Sequence, residues 1–376
     1  MEKFSGYIVL EDSIVYGKLI IKNGKIKDIV SLKEDVAAPK TYIMAGFIDQ
    51  HIHGASGCDA MDATFNSINT ISKAILKEGV TSFLATTMTA SSNSIEAAIN
   101  NVVTNKDKVT GANLLGVHLE GPFISPKYKG AQPEEHIIPF DLDKITKWNQ
   151  DNIIKIVTVA PEIDDFHQLI DYAKSHNMIV SFGHTAATYR QTIEAIKQGG
   201  NGFTHAFNAM ASFTHREVGV VGAMLESKDT YAELIADGIH VSPPAVKLLI
   251  NNKGLKNIIL ISDAMRGKWL PDGISELGGQ KVIIKDGTAR LESGNLAGSV
   301  LKFNDALRNI SNWLGSSLID LSRISSLNAA INLGISDAKG SIAIGKDADL
   351  VMLDKDFNVL KTMVGGKVLY ESKSIW

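Results

Sequence analysis

One cysteine, Cys58, stands alone in 376 residues, which excludes a disulfide within the chain and fits a reducing cytoplasm. No segment approaches the ~18 uninterrupted apolar residues of a membrane span. The start, "MEKFSGYIVLEDS", lacks the charged-then-apolar order of a signal peptide. A cytoplasmic protein with no membrane partner is the expectation. Charge of one sign is scarce as well. With a formal net charge of -3 and 21% charged residues there is no basic footprint, so nucleic acid is not an expected partner. What remains is 44% hydrophobic residues in a chain long enough for a sizeable core. The length suits two or three domains, or one α/β barrel of ~250 residues with a smaller companion.

The two ends read alike. "GYIVLEDSIVYGKLIIKNGKIKDIV" breaks into short strands, with Asn23-Gly24 between β-branched runs as a hairpin signal. "GSIAIGKDADLVMLDKDFNVLKTMVGGKVLYES" repeats the pattern around Gly365-Gly366. Strand-rich ends around a different middle predict a small β-sandwich domain built from residues 1–43 and 336–376, enclosing a domain over 44–335.

The middle alternates. Eight short apolar runs end in polar residues: "TYIMAGFIDQHIHG", "VTSFLATTMT", "LLGVHLEGPF", "IIKIVTVAPE", "NMIVSFGHT", "NGFTHAFNAM", "AELIADGIHV" and "NIILISDAM". Stretches with apolar spacing near 3.6 lie between them, such as "SINTISKAILKEG", "SIEAAINNVV", "FHQLIDYAKSHN", "RQTIEAIKQGG" and "PAVKLLINNKG". A hairpin, "QKVIIKDGTARLESG", and a helix, "FNDALRNISNWLG", follow the eighth run. Strands buried on both faces and joined by helices pair in parallel. Eight such units predict an α/β fold of the (β/α)8 barrel type. The rival is an open doubly wound sheet, but no Gly-x-Gly-x-x-Gly opens a helix after the first run.

In a barrel the C-terminal strand ends converge on one face, where chemistry sits. The first run ends in His51 and His53, which share one side of a strand with Asp49. The third ends in Glu120, the fifth in His184, the sixth in His205, the seventh in Asp237 and His240, and the eighth in Asp263. Imidazole and carboxylate without thiolate suit Zn, Fe, Mn or Co rather than a closed structural zinc site. Glu120, His184 and His205 would make three ligands with a position open for a reactive water. His51, His53 and Asp263 could hold a second ion if Glu120 bridges the pair. Asp263 is also placed as the proton carrier, or else caps a helix or loop. His240 either hydrogen-bonds a carbonyl as charge develops there or starts the helix of "SPPAVKLL". His118, two residues before Glu120, orients a ligand from behind or simply packs. Cys58 reads as a buried, inert thiol.

"GFIDQHIHG", "GSIAIGKDADLVMLD" and "SLNAAINLG" resemble the amidohydrolase superfamily of metal-dependent barrel hydrolases over nearly the whole chain. Most of its members place a metal-bridging lysine or carboxylate at the end of strand four. Here strand four ends "TVAPE", and the bridging candidate is Glu120 on strand three, in "GVHLEGPFISPKYKGAQ". That departure resembles the N-acetylglucosamine-6-phosphate deacetylases, as do "FGHT", "THAFNAM", "ADGIHV", "SDAM" and "LAGS". The resemblance implies metal ligands Glu120, His184 and His205, an acid/base in Asp263, and a carbonyl contact in His240. It implies sugar contacts at Ala131 and Gln132, the latter His in some relatives, a phosphate turn at Asn208 and Ala209, and a further substrate contact at Asp237. Leu296, Ala297 and Gly298 match a loop that closes over the sugar. Arg216 matches an arginine reaching the phosphate in a neighbouring subunit, which implies a homodimer. Relatives that hold one ion replace the two early histidines; this chain keeps His51 and His53 and so is expected to accommodate two. The implied reaction is hydrolysis of N-acetyl-D-glucosamine 6-phosphate to D-glucosamine 6-phosphate and acetate, in amino-sugar catabolism or cell-wall recycling. Alternatives are another N-acylated sugar, such as N-acetylgalactosamine 6-phosphate, or a cyclic amide. A non-catalytic scaffold is the remaining alternative, although such a protein would be expected to have lost ligands, and none is missing.

Overall fold

Eight parallel strands pair side by side in chain order: Phe47–Ile52, Val80–Thr87, Asn113–Glu120, Ile154–Val159, Ile179–Phe182, Gly202–Phe203, Tyr231–Ile235 and Ile258–Ile261. Each lies along one of the eight apolar runs, the first of which also contains the terminal-sheet strand Thr41–Ala45, and a helix follows each barrel strand in this computed structural model. The seam between the eighth and first strands is closed just past their ends. There Asp263 donates its backbone N–H to the His51 carbonyl at 2.9 Å and His53 donates to the Ala264 carbonyl at 2.9 Å. Asp49 works in the same seam, its carboxylate taking the Ser262 hydroxyl at 2.5 Å and the Ser262 N–H at 3.2 Å. The sheet is thus a (β/α)8 barrel.

The structure describes residues 4–34 and 40–373; residues 1–3, 35–39 and 374–376, all within the expected terminal domain, lie outside the described residues. Helix starts follow local chemistry. The Thr64, Ser91 and Thr188 side chains cap the backbones of Phe65–Ala74, Ser92–Asn105 and Tyr189–Gln198, and Pro243 opens Pro243–Lys253. Two helices give no clear periodic signal. Leu142–Trp148 is only seven residues long, and Gly219–Glu226 is apolar almost all round.

The termini meet in one seven-stranded sheet, with 350–371 on one side, Thr41–Ala45 at the centre and 4–31 beyond. The sheet folds over on itself. Ile26 donates to the Lys346 carbonyl at 2.9 Å, and Gly366 approaches Gly24, so both hairpin tips meet around Phe4, Ile8, Leu19, Ile43 and Leu350. Asn23-Gly24 and Gly365-Gly366 both have positive φ, the turn geometry that matches strand twist. The predicted hairpin after the eighth barrel strand gains a third member, Gly273–Leu277, beside Gln280–Lys285 and Thr288–Leu291.

Gly46 alone separates the terminal strand Thr41–Ala45 from the first barrel strand. A Cβ there would lie 2.2 Å from the Thr81 side chain. Overpacking of this kind costs about 1–3 kcal/mol. Gly46→Ala is therefore expected to lower the thermal midpoint by several degrees; an unchanged midpoint would show that the joint has slack.

Candidate metal centre and active site

Glu120, at the end of the third barrel strand, points its carboxylate into a ring of imidazoles. Its Oε1 lies 3.3 Å from His184 Nε2 and 3.1 Å from His205 Nε2, and the two nitrogens are 3.0 Å apart. Ligands about 2.0–2.2 Å from a shared ion stand ~3.0–3.4 Å from one another at tetrahedral to octahedral angles. The three atoms thus already sit at the spacing of one coordination sphere. A second group adjoins it. Asp263 Oδ1 is 3.4 Å from His51 Nε2 and 3.2 Å from His53 Nε2, and Glu120 reaches the same two nitrogens at 3.5 and 3.3 Å. All six side chains are buried.

The remaining ring atoms decide which nitrogens face inward. His184 donates from Nδ1 to the Tyr128 carbonyl at 3.0 Å, which leaves the Nε2 lone pair toward Glu120. His51 Nδ1 lies 2.9 Å from a Glu233 carboxylate oxygen, and its buried Nε2 has no hydrogen-bond partner. An orphaned buried nitrogen aimed at two carboxylates is what a divalent cation would satisfy, so these residues fit the ions that the donor set suggests. His118 stands behind them. It donates from Nδ1 to the Gln50 carbonyl at 3.1 Å and accepts at Nε2 from Thr158 at 2.7 Å, edge-on to the His51 ring.

The backbone at these residues is unusual. His184, His205 and Asp263 have φ of 48°, 33° and 49°, the left-handed region that non-glycine residues rarely occupy. Each such residue costs of order 1–3 kcal/mol and persists only where its surroundings hold it. Glu162, ending the fourth run, supplies part of that hold. Its carboxylate takes the Thr185 hydroxyl at 2.5 Å and the Ala186 N–H at 2.6 Å, just beyond His184.

Charge is balanced within the cluster. Burial opposes protonation of His51, but the carboxylates of Asp263, Glu233 and Glu120 outweigh it and push its pKa up to about 9. His53 rises well above the usual value for the same reason, through Asp263 and Glu120. Burial would raise Asp263, yet His51 and His53 hold it down to about 2. His118 goes the other way, pushed down to about 4 by burial and by His51 beside it.

A cavity of about 330 Å³ opens onto the cluster. Its wall includes Ala131, Gln132, Asn208, Ala209, His240, Leu296 and Gly298 among the expected substrate contacts. Lys127, Tyr128, Met88 and Leu277 line it without having been anticipated. Three expected contacts sit elsewhere. Ala297 is fully buried behind the loop, packed with Met265 and Leu277. Asp237 lies under His240, accepting from its Nδ1 at 2.6 Å and from the N–H groups of residues 239 and 240 at 2.8 Å, which leaves Nε2 for the cavity. Arg216 is exposed on the loop 211–218, outside the cavity of its own chain. Gln132 reaches the wall, but its amide is committed: it donates to Glu120 Oε2 at 2.7 Å and accepts from the Thr89 N–H at 2.7 Å. Sequence reasoning also missed Glu233. Its only signal was an acid in mid-strand, in "AELIAD".

A model of the amidohydrolase family matches residues 42–369. The chain belongs to the amidohydrolase family. It is 43% identical to an N-acetylglucosamine-6-phosphate deacetylase of Bacillus subtilis over 97% of this chain and 96% of that one. It is 35% identical to an N-acetylgalactosamine-6-phosphate deacetylase of Escherichia coli O157:H7, over 93% of this chain and 94% of the other. Among solved structures, an N-acetylglucosamine-6-phosphate deacetylase of Thermotoga maritima superposes with a TM-score of 0.90 at 36% identity, covering 98% and 99% of the two chains. No helix among the described residues is long and apolar enough to cross a membrane.

The raised imidazoles set a sign for metal loading. Groups with elevated pKa carry protons at neutral pH, and those protons must leave as an ion arrives. Titrating metal-free protein with zinc at pH 7 is expected to release protons, and apparent affinity is expected to climb as pH rises toward about 9, the value for His51. Calorimetry in buffers of different ionisation enthalpy measures both. Affinity that stays flat over that range would show the imidazoles to be unprotonated already.

Proposed function

We propose that the chain hydrolyses the acetamide of N-acetyl-D-glucosamine 6-phosphate, giving D-glucosamine 6-phosphate and acetate. One observation carries the reading: the carboxylate shared by both ligand groups is Glu120, from the third barrel strand rather than the fourth, at the floor of a sugar-sized cavity. Relatives named as deacetylases of this sugar phosphate support it. Ions at the two groups, Zn or Fe first and Mn or Co next by donor set, would supply Lewis acidity and a water of lowered pKa.

The chain's own residues do the rest. Asp263, at the cavity wall, takes the proton of the attacking water and later delivers it to the departing amine. His240, its ring fixed by Asp237, hydrogen-bonds the acetyl oxygen as negative charge gathers there. Asn208 and Ala209 sit where a phosphate turn is expected, and among the described residues Lys127 is the one lysine or arginine on the cavity wall. We further assign a homodimer, in which Arg216 reaches the partner's phosphate with a guanidinium suited to paired oxygens. In its own chain Arg216 makes no ion pair among the described residues, and Phe213 on the same loop is 54% exposed. A cytoplasmic setting suits the solitary thiol.

N-acetylgalactosamine 6-phosphate is the second reading. A relative of that specificity matches at 35% identity, and Gln132 is held by Glu120 and Thr89 rather than free to read a sugar hydroxyl. The ratio of kcat/KM for the two epimers decides between them.

Metal-loaded protein incubated with the sugar phosphate should release stoichiometric acetate; folded, loaded protein that releases none would end the proposal. Asp263→Asn should lose at least ~100-fold in turnover while an ion stays at Glu120, His184 and His205. Activity within tenfold of the native enzyme would remove Asp263 from the acid/base role. Arg216→Ala should raise KM tenfold or more for the phosphorylated sugar alone, and an equal rise for the unphosphorylated sugar would refute the phosphate contact.

A further inference from the structure

Glu233 lies inside the barrel, on the seventh strand, at 2% exposure and away from the cavity wall. The catalytic reading leaves it unused, yet it touches both ligand groups. One carboxylate oxygen sits 2.9 Å from His51 Nδ1 and 3.3 Å from the backbone N–H of His205. The other accepts from Gln50 Nε2 at 2.8 Å, and the Gln50 oxygen in turn accepts from Asn332 at 3.1 Å. A carboxylate gripped from behind in this way cannot swing away from the imidazole it faces.

We infer that Glu233 is the positioning residue that makes His51, His53 and Asp263 a second ion site. Neutral imidazole has one N–H. A carboxylate at Nδ1 keeps that hydrogen there and leaves the Nε2 lone pair aimed into the cluster. That Nε2 is buried without a hydrogen-bond partner, 3.4 Å from Asp263 and 3.5 Å from Glu120. Charge points the same way. Two divalent ions bring four positive charges against the single negative charges of Glu120 and Asp263, and Glu233 adds a third buried anion one imidazole away. The inference rests on the proposed reading of the cluster as a metal centre, and it adds Glu233, behind His51, to the residues on which a second ion depends.

Glu233→Gln keeps the shape and removes the charge. Metal-free native protein and the variant are titrated with zinc, and bound metal is counted by elemental analysis after gel filtration. The native protein should hold two ions per chain. In Glu233→Gln the second should bind 10–100-fold more weakly while the first, at Glu120, His184 and His205, is unchanged. Cobalt titration followed by visible absorption should lose its second phase in the same variant and regain part of it in Glu233→Asp, which restores the charge. Gln50→Leu, which loosens Glu233 without touching His51, should weaken the second ion as well and serves if Glu233→Gln does not fold. Two tightly held ions in Glu233→Gln would overturn the inference. So would equal loss of both ions, which marks a structural role, or a native protein that saturates at one. Acetate release is scored in parallel. Two ions without acetate would refute the proposed reaction and leave Glu233 in its role, whereas acetate with one native ion would refute only the inference.

Discussion

The structure depends on one buried carboxylate. Glu120 is surrounded by four imidazoles within 3.5 Å, on a buried strand end at the floor of the cavity. An isolated anion in such a place is costly, and a buried charge is kept only when it is paired or holds a metal. The histidines therefore do two jobs. Without an ion His51, His53 and His205, all pushed upward by the carboxylates beside them, favour the protonated form that neutralises Glu120 and Asp263; an ion bound there would take the place of those protons. Burial pushes both carboxylates upward, and the imidazoles more than reverse it.

The barrel exists to hold that arrangement. The candidate ligands come from the ends of the first, third, fifth, sixth and eighth segments, and no two neighbouring elements could supply them alone. Their backbones are bent into left-handed conformations at His184, His205 and Asp263, a strain carried by rigid surroundings. Glu162, the Asp49–Ser262 pair and the folded-over terminal sheet below Gly46 are parts of that rigidity. Gln132 and Glu233 complete the inner layer, one fastened to Glu120 and the other to His51.

Much of this was legible in the chain. The eight barrel strands lie along the eight apolar runs, because parallel barrel strands are buried on both faces and show as apolar stretches, although the first run also holds a strand of the terminal sheet. The six ligand candidates could be read because strand ends share one rim whatever lies between them. Legibility failed where the signal is spatial. Glu233 reads as an odd acid in a strand, and only the fold puts it at His51. Asp237 resembles a substrate contact by position, yet its short side chain folds back onto His240 three residues later. Ala297 lies in a loop whose neighbours, Leu296 and Gly298, face the cavity while it faces the core. Gly219–Glu226 carries no polar face and so lacks the 3.6-residue rhythm that reveals a helix.

The most direct measurement is anomalous diffraction from crystals of the zinc-loaded protein, recorded either side of the metal edge. The account predicts a peak about 2.0–2.2 Å from Glu120 Oε1, His184 Nε2 and His205 Nε2 together. A peak held by other residues, or those three groups opened too wide to share one ion, would contradict it.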